Sequence, residues 1–242
     1  MTDEQHFDRV RNSLITGQLS DLAFGALLPP LIRAKSSYCW TPLAVARRAA
    51  LRFAEQGTRR VLDVGCGPGK FCLTAALACP EIDFCGVDLS VTLARTAKEL
   101  ATGLRLSNVE FKAGDALDAP WHDFDGFYFF NPFGGTLLTP LMDDCALPGG
   151  DELLRVAELL DAARKGVTVI TYHGLGGPIP SSYTLRSEEP IGSGCLRVWQ
   201  KTRSRAQGFY YLDHSREVSQ VSREYLLRKP ARRKPRVDAA SE

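Results

Sequence analysis

Between Arg60 and His173, five short β-prone runs (RVLDV, DFCGVDL, NVEFKAG, DGFYFFN, VTVITYH) are set among three helical stretches, PGKFCLTAALAC, SVTLARTAKELATGL and DELLRVAELLDAARKG. Strands and helices at this spacing predict a mostly parallel sheet covered by helices on both faces, an α/β three-layer sandwich. After residue 173 the pattern changes. SYTLRSEEPIGSGCLRVWQKT holds two β-prone runs about a Gly-Ser-Gly turn, which predicts a closing antiparallel hairpin and brings the sheet to seven strands.

Upstream, residues 3–16 and 20–34 space Val10, Leu14 and Ile15, then Leu22, Leu27, Leu28 and Leu31, at helical intervals, with Pro29 and Pro30 interrupting or ending the second helix. Thr41-Pro42 starts another, LAVARRAALRFAEQG, which ends at Gly57, and SSYCWT before it reads as loop. The expected organisation is an N-terminal helical cap over 1–57, a central domain over 58–205 and a basic extension over 206–242. At 44% hydrophobic and 24% charged residues, the chain suits one sizeable globular core.

Charge is unevenly spread. Residues 196–236 carry 12 Lys and Arg against 3 Asp and Glu, so that segment is +9 and the remainder −7. It runs into RKPARRKPRVDAASE, whose prolines and charges oppose a packed core, so the extension is expected to be partly disordered and is a candidate contact for anionic partners. The opening MTDEQHFDRVRNSL lacks the basic start and apolar centre of a secretory signal, and no run of 18 apolar residues occurs, so the expectation is a cytoplasmic protein without a membrane partner. The seven cysteines include no CxxC pair, which suggests neither a disulfide framework nor a metal site. Most lie in apolar runs; Cys66 is expected to be partly exposed in a glycine loop.

In sheets of this kind ligands gather beyond the carboxyl ends of the strands. Those ends are Asp63 with Gly65, Gly67 and Gly69, then Asp88, then Gly114 and Asp115, then Asn131, Pro132 and Phe133, then His173 and Gly174. The glycines allow a sharp turn and close approach of backbone to a ligand. A dinucleotide fingerprint would need glycine where Lys70 stands, and a phosphate loop would need a hydroxyl where Phe71 stands. The acid at Asp88, 19 residues past Gly69, can instead accept from both hydroxyls of a ribose.

The run VLDVGCGPG, followed by GVDLS and AGDAL, resembles motifs I, II and III of the class I S-adenosylmethionine-dependent methyltransferases, over residues 59 to about 202. The resemblance implies a Rossmann-like fold and S-adenosylmethionine as cofactor. It places the methionine end on Asp63, Gly65, Cys66, Gly67 and Gly69, the ribose on Asp88 beside Leu89, and the adenine on Asp115 and Ala116. FFNPFGG resembles the Asn-Pro-Pro-Tyr/Phe motif of methyltransferases acting on amino or amide nitrogens, although a second proline is missing and Phe133 comes one place early. By that resemblance Asn131, Pro132 and Phe133 are the catalytic candidates. Tyr38-Cys-Trp-Thr41-Pro42 is similar to a Tyr-x-x-Thr-Pro stretch in bacterial relatives of protein lysine methyltransferases, which adds Tyr38 and Thr41, with Asn131, to the cofactor candidates.

The implied function is methyl transfer to a nitrogen, on protein lysine or another amine. The alternatives are a small-molecule or nucleic-acid methyltransferase, or a methyltransferase fold that has lost catalysis and binds RNA or an acidic partner through its basic end. Trp40 and Tyr38 are candidates to fold over the cofactor, Tyr172 and Tyr183 to line an acceptor pocket, and His173 to deprotonate an acceptor.

Overall fold

The computed structural model describes residues 2–34, 40–130, 132, 150–177, 179–204 and 209–210, all within a unit spanning Met1–Leu212. Tyr38, Asn131, Phe133 and the chain beyond 210 lie outside the described residues.

Helix α1 (Asp3–Thr16) starts on a capping box, in which the Thr2 side chain accepts from the Gln5 N–H and the Gln5 side chain accepts from the Thr2 N–H. It ends on Gly17 in the left-handed region. Residues 20–34 form two short helices, α2 (Asp21–Gly25) and α3 (Pro30–Arg33). That break shifts the helical phase. Phe24, Leu28 and Ile32 are buried, whereas Leu22 and Leu31, expected on the inner face, are 86% and 87% exposed; Ile15 is also exposed. Helix α4 (Leu43–Glu55) follows Pro42 and buries Val45, Ala46, Ala49, Ala50 and Phe53.

From residue 60 the elements run β1 (Arg60–Val64), α5 (Lys70–Ala78), β2 (Asp83–Asp88), α6 (Val91–Gly103), β3 (Val109–Ala113), two 3-10 turns, β4 (Gly126–Phe130), α7 (Gly150–Ala162) and β5 (Thr168–Tyr172). Then come a two-residue strand β6 (Ile179–Pro180), β7 (Tyr183–Ile191), β8 (Gly194–Lys201) and β9 (Phe209–Tyr210), which pairs with β6. The main sheet has seven strands in the order β3-β2-β1-β4-β5-β8-β7. β1 to β5 pair in parallel, and β8 joins β5 and β7 antiparallel. The hairpin turns at Gly192, whose φ of 58° suits glycine at the first central position.

Period-two alternation divides the core. Val61, Phe84, Phe111, Tyr128 and Ile170 face a cluster with α1, α4, α5 and α6. Leu62, Val64, Val87, Phe127, Phe129 and Val169 face the other, with Trp121 and with Val156 and Leu160 of α7. The helices before residue 57 thus share a core with the sheet. Among the described residues no helix is long and apolar enough to cross a membrane. The chain leaves β1 toward β2 on one side, while β4 flanks β1 on the other, so the carboxyl ends of β1 and β4 open a crevice at the topological switch point.

Candidate functional site

β1 delivers Asp63 to this crevice on the face it shares with α5, and the loop that follows is built from left-handed turns: Gly65, Gly67 and Gly69 have φ of 74°, 56° and 81°. Two of these glycines are also crowded. A Cβ on Gly69 would lie 2.6 Å from Phe111 Cζ and 2.9 Å from Ala97 Cβ. One on Gly67 would lie 2.6 Å from Trp40 Cδ1, so the Trp40 indole rests on the loop backbone. A Cβ on Gly65 would stand 3.1 Å from Pro132 Cβ, so Pro132 packs directly on the loop leaving β1.

Asp88, at the end of β2, ties the loop down. Its Oδ2 accepts from the Gly67 N–H at 2.8 Å and its Oδ1 from the Ser90 N–H at 2.8 Å. Burial pushes its carboxyl above the usual range, and these two N–H groups pull it back. Asp63 is more deeply placed, only 3% exposed, and the Cys72 thiol is its hydrogen-bond donor, with Sγ 3.4 Å from Oδ2. Burial raises its carboxyl to about 8; the thiol lowers it and the Asp88 charge raises it further.

Trp40, Thr41, Asp63, Gly65, Cys66, Lys70, Phe71 and Phe130 line a cleft here of about 10 Å³, space for a single water. Thr41 also bonds the Tyr128 hydroxyl at 3.1 Å, and Tyr128 stacks on Phe71 with centroids 3.8 Å apart. As it stands, the cleft is too small for a ligand of nucleoside size. Cys66 is buried, contrary to the expected partial exposure: its Sγ packs beneath the loop, where a Cβ on Gly86 would come within 2.8 Å, and burial holds the thiol well above its ordinary range.

Residues 55–172 match a protein family described as "Methyltransferase domain". That match makes residues 55–172, just under half of the chain, a methyltransferase domain. Among curated proteins, this chain is 30% identical over 158 residues to ajmaline N-methyltransferase of Rauvolfia serpentina, covering 64% of this chain and 48% of that one. It is 34% identical over 77 residues to demethylmenaquinone methyltransferase of Deinococcus radiodurans, covering 32% of each. The chain therefore spans less than half the length of these curated relatives. The crystal structure of an RNA methyltransferase from Salinibacter ruber, in complex with S-adenosyl-L-homocysteine, shares the fold with a TM-score of 0.54 at 15% identity, covering 72% of this chain and all of that one.

Within the methyltransferase domain, the crevice brings together Asp63, Gly65, Cys66, Gly67, Gly69, Asp88, Thr41 and Pro132. Leu89 stands at the rim, 77% exposed beside exposed Val91. Asp115 lies one strand further along, past the Gly114 N–H that bonds Asp88 O; its carboxylate caps the next turn through the Leu117 N–H at 2.8 Å, with Ala116 buried behind it. Tyr172 and Tyr183 do not line a pocket: both are buried and donate to the carbonyls of Ile191 and Leu160. His173 follows β5 directly, with φ of 58°, packed against Phe130 and Tyr172, and burial lowers its pKa. Its neutral imidazole can accept a proton. Sequence reasoning missed Lys70 and Phe71 as cleft residues; Lys70 is the single charge in the apolar helix KFCLTAALA, and that is the signal that could have found it.

Proposed function

We propose that this protein transfers the methyl group of S-adenosylmethionine to a nitrogen acceptor, a protein lysine or another amine. The observation that carries the donor half is the placement of two buried or half-buried carboxylates, Asp63 and Asp88, on adjacent strand ends with a left-handed glycine loop between them. Asp63, deep in the cleft with a thiol for a donor, suits an ammonium group, and Asp88 suits the hydroxyls of a ribose. Leu89 offers an apolar face and the turn at Asp115–Ala116 a polar edge for adenine. When bound, the cofactor supplies an activated methyl group on a sulfonium.

In-line displacement at such a methyl depends mainly on how the acceptor is held. The acceptor half of the proposal rests on FFNPFGG. Pro132 lies against Gly65 of the donor loop, and an Asn side chain with a backbone carbonyl would accept the protons of a nitrogen and aim its lone pair. One relative acts on nitrogen by its name.

Calorimetry tests the donor half. S-adenosylhomocysteine is expected to bind, and Asp88→Ala to lose roughly 1.5 to 3 kcal/mol, the size of a hydrogen bond to a charged group. No binding of this compound or of S-adenosylmethionine at millimolar concentration overturns the reading. Incubation with labelled S-adenosylmethionine and fractionated cell extract tests the acceptor: label on protein lysine or on small amines is expected, and label confined to oxygen or carbon acceptors overturns nitrogen.

A further inference from the structure

His173 takes a left-handed conformation, with φ of 58°, which is strained for a residue that carries a Cβ. Gly174 and Gly176 take the same region at 78° and 85°, so by local preference this turn belongs to glycine. The histidine stands against that preference. Such a conflict at the carboxyl rim of a sheet is expected where the side chain itself is required.

The hairpin makes room for its ring. A Cβ on Gly194, at the start of β8, would lie 2.6 Å from the imidazole Cε1 and 3.0 Å from Nδ1, so glycine there leaves the space that the ring fills. The imidazole also packs on Tyr172, with centroids 4.3 Å apart, and meets Phe130 edge to face at 5.7 Å. Phe130 in turn stacks on Tyr172 and lines the cleft with Asp63 and Gly65. His173 is therefore one ring removed from the cleft and only half-buried, beside the strand that runs into Asn131 and Pro132. Among the described residues neither of its ring nitrogens has a hydrogen-bond partner, so both are available to a ligand.

Among the described residues no charged group holds the ring protonated. β4 brings Phe130, β5 brings Tyr172, whose hydroxyl donates to the Ile191 carbonyl, and β8 brings Gly194 followed by the Cys195 thiol. The charges of the hairpin are engaged, Glu188 with Arg197 and Glu189 with Arg48 and Arg52. Burial lowers the His173 pKa, so the ring is neutral at pH 7.

We infer that His173 takes the proton shed by the acceptor nitrogen as it is methylated, and that the acceptor is a weakly basic amine, an aryl amine above all, set against Phe130. This inference rests on the nitrogen half of the proposed function. The nitrogen lone pair forms the N–C bond, the methyl–sulfur bond breaks with its electron pair going to sulfur, and the N–H proton passes to the imidazole. An alkyl ammonium resists that last step, because its pKa lies about 4 units above that of imidazole. A nitrogen conjugated to a ring gives up its proton readily once it carries the new methyl group and the positive charge. The planar body of such an amine also matches the aromatic surface of Phe130.

Label transfer tests this, with the full chain, methyl-labelled S-adenosylmethionine and the cell-extract fraction that the wild-type protein labels. His173→Gly, which suits the backbone at this position, is expected to lose about 100-fold in rate and to regain about tenfold when imidazole is added. Its affinity for S-adenosylhomocysteine by calorimetry should stay within about twofold. No loss of rate, or a loss that imidazole does not restore, overturns the assignment. If His173→Gly does not fold by circular dichroism, His173→Asn decides, because asparagine tolerates the left-handed region. At saturating S-adenosylmethionine the wild-type rate should fall as pH drops through the His173 pKa, below the usual 6.5, and the variant should show no such fall. The same fall in both overturns the assignment. Label found on lysine or other alkyl amines overturns the aryl-amine class and leaves nitrogen transfer standing, whereas label confined to oxygen or carbon acceptors strikes the nitrogen reading itself.

Discussion

Asp63→Asn is expected to make the free domain more stable at pH 8 and, in the same protein, to weaken S-adenosylhomocysteine binding about 100-fold, the loss expected when a buried ammonium is deprived of its carboxylate. The two effects share one cause. In the free domain the Asp63 carboxyl is raised to about 8, first of all by burial. Its folded value is therefore above its unfolded value of about 3.9, and the folded state holds a proton that the unfolded state has released. The contribution is fully present below pH 4 and is lost as pH rises through 8, at up to about 1.4 kcal/mol per pH unit. Asparagine resembles the protonated acid in shape and carries no such slope. Chemical denaturation at several pH values should show the variant gaining on the wild type from pH 4 to 8 and the gap levelling off above it. A gap that stays constant across this range rules out the buried-acid account.

Ligand binding reverses the preference. An ammonium placed against Asp63 favours the carboxylate, so a group mostly protonated in the free domain at pH 7 must ionise. Binding is expected to release about 0.9 of a proton at pH 7, read as the slope of observed enthalpy against buffer ionisation enthalpy. In Asp63→Asn that slope should vanish.

Gly69→Ala is expected to be the most damaging small substitution in the domain. The new methyl meets Phe111 at 2.6 Å and Ala97 at 2.9 Å, in a backbone with φ of 81°. The left-handed conformation alone costs about 1–2 kcal/mol, and overpacking a filled core adds about 1–3 kcal/mol. Gly57→Ala separates the two terms, because Gly57 has φ of 71° but nothing within 4 Å of its missing Cβ. Urea denaturation should show Gly57→Ala losing only the backbone part. Equal losses in the two variants would mean that the contact with Phe111 is relieved without cost.

The strand ends were legible in the sequence because each strand has one register that buries its apolar face, and that register fixes which residue emerges at the rim. Asp63 and Asp88 are placed by that rule, and Asp115 follows two residues past the end of β3. The exposure of Leu22 and Leu31 was not legible, because helical spacing carries a phase only while the helix continues, and residues 26–29 interrupt it. Lys70 could be read as excluding other loops, but its pairing with Asp21 joins segments 49 residues apart in the chain (70 − 21), and no local pattern reports such contacts. The thiol beneath Asp63 was hidden for a similar reason: Cys72 reaches it from the first turn of the next helix.

Trp40 on the glycine loop makes the protein its own optical sensor. Of three tryptophans, Trp121 and Trp199 are buried in the layer beyond the sheet, and Trp40 lines the cleft. A ligand that displaces its indole changes the polarity around that ring first, so intrinsic emission should titrate with S-adenosylhomocysteine, and Trp40→Phe should silence the signal while binding by calorimetry persists. Opening of the cleft can then be timed by mixing, without any added label.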